Sequence, residues 1–99
     1  MSTHKINGSD ISDWEAFHDV FTKEFDFPDY YGRNMDAWND CMSDLGAEGE
    51  IVSILINDVT ALKKRNSNIF EALIECSAFV NYRFTSEGGP PLIALSYHE

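Results

Sequence analysis

Basic side chains are scarce in this chain: seven Lys and Arg stand against seventeen Asp and Glu in 99 residues, a formal charge of −10. Phosphate recognition needs a basic patch, so this shortage argues against RNA or DNA as a direct partner. A basic protein suits such a surface instead, and the field would speed its encounter. The two cysteines, Cys41 and Cys76, lack CxxC spacing. They read as reduced thiols on the apolar sides of helices. Apolar runs are no longer than a strand, so no segment is expected to span a membrane. The start, Met1 to Lys5, has no apolar run behind a basic opening, so no signal peptide is expected and the cytoplasm is the expected location. Phosphate loops, nucleophile elbows, HExxH and the calcium loop D-x-[DN]-x-[DN]-G are all missing.

What is present is enough for one domain over residues 1–99. Hydrophobic residues make up 43% and aromatics 13%, a composition that supports its own core. Residues 3–7 read as a short strand stopped by Asn7-Gly8. Ser12 with Glu15 matches a capping box, and Trp14, Phe17, Val20, Phe21 and Phe25 follow at helical spacing until Pro28. Asn34 is placed to cap a second helix. In it Met35, Trp38, Met42 and Leu45 form a core stripe while Asp36, Asp40, Ser43 and Asp44 face the other way. Gly46 is the expected stop.

Residues 51–56 read as a buried strand, residues 59–64 as a short helix with Lys63, Lys64 and Arg65 at its dipole-favoured end. Asn68 with Glu71 is expected to open a helix from about residue 69 to 82, carrying Ile69, Leu73, Cys76 and Val80 inward. A Gly88–Pro91 loop leads to a last strand over residues 92–95. Strands joined through helices lie parallel. The expected fold is therefore α/β, a three-stranded parallel sheet packed with helices.

The acids are concentrated. Between Asp26 and Glu50 there are seven acids and one base, Arg33, a net of −6 in 25 residues. Asp36, Asp40 and Asp44 recur every fourth residue, a spacing that costs a helix a few tenths of a kcal/mol per like-charged pair. Tyr30 and Tyr31 add rigid contact area with a hydroxyl tip, and Gly32 lets a partner approach the backbone. One tyrosine facing inward and the other outward is the expected compromise. A protein-binding surface is the first reading. A divalent cation held by the aspartates is the second, although His4, His18 and His98 are scattered. A hydrolase using Asp36 and Asp40 with such a metal is the third, although exposed carboxylates both stay ionised and make a poor acid–base pair.

The run Phe27-Pro28-Asp29-Tyr30-Tyr31-Gly32-Arg33-Asn34-Met35-Asp36-Ala37-Trp38-Asn39-Asp40-Cys41-Met42 closely resembles the signature of the barstar family, intracellular inhibitors of the guanyl-preferring ribonuclease barnase. A weaker likeness extends over the whole chain. The resemblance implies no catalysis, no cofactor, no metal, and a monomer that binds one basic ribonuclease or nuclease toxin, probing its active site with carboxylates in place of RNA phosphates. It further implies that Tyr30, Gly32 and Asn34 contact the substrate rim. Asp36 and Asp40 pair with the enzyme's cations, Asp40 as the central anchor, and Asp44 continues the acidic row. Asn39 and Ser43 would fill flanking contacts, and Glu75 on the later helix is a second acidic contact. The family tryptophan before the central aspartate is Asn39 here, an aromatic contact beyond the helix becomes Leu45, a further glutamate becomes Phe79, and the Gly88–Pro91 loop is longer. The anchor is kept and the periphery changed, which leaves open which nuclease is bound, and whether the role is self-protection or immunity to a competitor's toxin. A domain that kept the fold but lost ribonuclease binding is a further alternative.

Overall fold

The computed structural model describes residues 2–99. Strand β1 (Ser2–Asn7) passes through a 3-10 turn (Gly8–Asp10) to α1 (Trp14–Phe25) and α2 (Met35–Asp44). A second 3-10 turn (Leu45–Glu48) leads to β2 (Val52–Asn57), α3 (Val59–Arg65), α4 (Ser67–Thr85) and β3 (Ile93–Tyr97). The three strands form one parallel sheet in the order β1-β2-β3, as the sequence led us to expect.

Burial alternates along β2: Val52, Ile54 and Ile56 are buried, while Ser53, Leu55 and Asn57 are half-buried. The near-continuous apolar run had suggested burial on both faces. Instead, the register sets Lys5 beside Leu55 and Leu55 beside Ser96, and both of those neighbours are exposed, so one face of the sheet is largely open. Ile51, expected at the head of this strand, lies outside it and is 42% exposed. The covered face meets Phe17 and Phe21 of α1, Trp38 and Met42 of α2, Leu62 of α3 and Ile69, Leu73 and Val80 of α4 in a single core.

Three helix boundaries differ from expectation. Asp13, not Ser12, caps α1, its carboxylate accepting from the Ala16 amide at 2.8 Å. Both residues are capping types of similar strength, and the backbone places Asp13 at the cap. Helix α4 opens at Ser67, before Asn68. Asn66 precedes it, and its amide donates to the Ser12 carbonyl at 2.9 Å, tying α4 to the start of α1. Gly46 does not stop α2 with a left-handed residue; a Cβ there would collide with the Phe84 ring, so this glycine admits α4. The left-handed position is Gly49, with φ +77°. Gly8 serves close approach too: a Cβ would sit 2.6 Å from the Asp58 carbonyl oxygen.

Candidate functional site

Residues 26–34 link α1 to α2 and are pinned from inside. The rings of Phe27 and Tyr31 lie 4.7 Å apart between centres, their planes tilted by 56°, and both are buried. The Tyr31 hydroxyl and His18 Nδ1 share a hydrogen bond of 2.5 Å in the interior. Burial pushes the Tyr31 phenol well above its ordinary range, and it holds His18 below its ordinary value, assisted by the nearby Arg33 charge. With Tyr31 8% exposed and Tyr30 83% exposed, the pair divides as the sequence suggested, one side chain inward and one outward.

Arg33 adopts a left-handed backbone, φ +53°, at a cost of roughly 1–2 kcal/mol for a residue with a side chain. Its guanidinium offsets part of this by donating to the Asp19 carboxylate at 2.9 Å and the Glu15 carbonyl at 3.1 Å. Asn34 then caps α2: its side-chain oxygen accepts from the Ala37 amide at 2.8 Å, and its amide donates back to the Gly32 carbonyl at 3.3 Å. Loop and helix are thereby one unit, with a cleft of about 440 Å³ beside it lined by Trp14, His18, Arg33 and Asn34 among others.

On α2 the two faces separate as the spacing demanded. Trp38 and Met42 are fully buried, whereas Asp36, Asp40 and Asp44 are exposed. Asn39 was expected to be a flanking contact, but it is only 7% exposed, and its Oδ1 lies buried without a hydrogen-bond partner. Its position follows from its neighbour: it stands next to the core residue Trp38 and turns towards Cys76 of α4. Ser43 is half-buried and internally engaged, its hydroxyl donating to the Asn39 carbonyl at 2.6 Å.

Helix α4 borders this face. Glu75 is exposed, and its carboxylate and that of Asp36 both raise the Cys76 thiol. Burial is the larger cause for Cys76, and for Cys41 as well, where Asp44 and Asp40 add to it. Both cysteines are free and half-buried, nearer the surface than a core role required. Spacing did not reveal Arg83. It reaches from α4 to the Asp40 carboxylate at 3.0 Å, and Asp40 remains 71% exposed at its side chain. Among the described residues, no group of three His, Cys, Asp or Glu side chains is gathered to hold a metal ion, and no helix is long and apolar enough to cross a membrane.

A parallel α/β sheet carrying an acidic, loop-anchored helix defines a class, and comparison places the chain in it. Residues 1–96 match the family described as Barstar (barnase inhibitor), and the chain belongs to that family. It is also similar to a Bacillus subtilis (strain 168) protein named "Putative ribonuclease inhibitor YrdF", 50% identical over 38 residues. That match spans 38% of this chain and 42% of the relative.

Proposed function

We propose that this chain inhibits a barnase-like, guanyl-preferring ribonuclease by filling its active site with α2 and the preceding loop. The observation that carries the reading is the exposed row Asp36, Asp40 and Asp44, held on a helix whose opposite face is locked into the core by Trp38 and Met42. A rigid row of carboxylates resembles a run of phosphates in charge and spacing, and a cationic catalytic groove binds it without reorganisation. Tyr30, Gly32 and Asn34 would meet the rim of the groove, and Glu75 would extend the contact across α4. Asn39 is buried and Ser43 engaged, so both act by holding the face in shape. The inhibitor binds one enzyme, works without cofactor or catalysis, and acts in the cytoplasm. Family membership and the naming of the Bacillus subtilis relative support the ribonuclease as partner.

An immunity protein against a nuclease delivered by competitors would use the same surface. The rival metal-dependent hydrolase gains no support from a gathered donor set among the described residues. The test titrates the protein into RNA-cleavage assays with a panel of basic, guanyl-preferring ribonucleases. One member should lose activity stoichiometrically. Undiminished cleavage across the panel at excess inhibitor would refute the reading.

A further inference from the structure

Arg83 stands where a cation is least expected, on the face that is to meet a cationic groove. It is fixed there by three contacts. One Nη donates to Asp40 Oδ1 at 3.0 Å and to Ser43 Oγ at 3.0 Å, and the guanidinium lies 4.8 Å above the centre of the Phe79 ring. Ser43 spends its own hydrogen on the Asn39 carbonyl, which leaves its oxygen free to accept from Arg83. An exposed ion pair by itself is weak. The stacked ring and the serine are what keep the guanidinium in place once a partner competes for Asp40.

We propose that Arg83 is a specificity residue: it neutralises Asp40 against grooves lined by cations alone and admits a partner that brings an acidic or neutral acceptor group opposite the guanidinium. The proposal deepens the ribonuclease-inhibitor reading and rests on it. Asp36 and Asp44 offer charge without an ion-pair partner among the described residues, whereas Asp40 is already balanced. A groove supplying only Lys and Arg meets Arg83 as a like charge and must also break the Asp40 pair. A groove with a carboxylate beside its cations satisfies both members at once. Discrimination by a repulsive element in this manner requires no loss of affinity for the correct partner.

The probe is a hepta-arginine peptide, a partner of cations alone, with binding measured by fluorescence anisotropy for the parent, Arg83→Gln, Arg83→Lys and, as a control for net charge, Lys64→Gln on the exposed end of α3. Arg83→Gln should tighten binding by about tenfold, the scale of removing one like charge from an interface. Arg83→Lys should bind no better than the parent, and Lys64→Gln should change little. A gain should remain when Asp40→Asn is added, because Arg83 is then a cation with nothing to balance it. Weaker or unchanged binding by Arg83→Gln, with circular dichroism unaltered, overturns the proposal and makes Arg83 a support for Asp40. The ribonuclease reading is tested apart from this, by titrating the parent into RNA cleavage by barnase: absence of inhibition fails that reading for barnase and leaves the peptide result to decide the role of Arg83.

Discussion

Asp44 ends α2, where the helix dipole already opposes a carboxylate, while Asp40 lies mid-helix beside Arg83. The same functional group therefore has unequal weight at the two positions. Asp40→Ala should weaken inhibition of the cognate ribonuclease by on the order of thirtyfold or more, the size of an interface hot spot. It also leaves Arg83 as an unbalanced cation facing the groove. Asp44→Ala should cost no more than about threefold, as an exposed pair does. Inhibition constants measured side by side decide it, and equal losses would remove Asp40 from the centre. His18 gives a second residue-scale expectation. Burial holds it neutral in the folded chain below its ordinary value of 6.5, so just below that pH the unfolded chain binds more protons. The stability it contributes is complete above 6.5 and is lost as pH falls towards the lower folded value. Urea midpoints at about pH 7.5 and about pH 5 should fall further for the parent than for His18→Gln.

Helix α2 depends on the cap that starts it. Asn34→Ala removes the acceptor for the Ala37 amide and the brace to Gly32. A loss of about 1 kcal/mol in unfolding free energy is expected, read from denaturant titration. This cap was legible in the sequence because an asparagine stood immediately before a stripe recurring at 3, 4 and 3 residues. The parallel sheet followed equally from strands alternating with helices. Less local features were not legible. Ser12 and Asp13 are adjacent capping types, and only geometry chooses between them. Gly46 looked like a helix stop, because nothing near it in sequence announces Phe84 across the core. The family resemblance made Asn39 a flanking contact, yet the helix turns it into the interior beside α4. Arg83 and Asp40 are separated by 43 residues, and no periodicity connects them.

The whole molecule carries ten net negative charges, and the region containing α2 holds more than half of them. Association with a basic ribonuclease should therefore slow steeply as salt rises from about 0.01 M to 0.15 M, since the screening length contracts from about 30 Å to about 8 Å. Stopped-flow association rates across that range provide the check, and a flat profile would count against the acidic face as the route of encounter.

The pairing of β1 with β2 has a consequence for the moment of synthesis. Ser2 lies opposite Val52, so the first strand leaves the ribosome with its neighbour not yet translated. At about 5–20 residues per second, that delay lasts about 3–10 s. At its end the hydrophobic side of α2 (Met35–Asp44) still has no sheet to rest on, although its aspartates have already been made. A nascent fragment thus lacks the finished acidic face: that surface acquires its shape only when the second half of the polypeptide arrives.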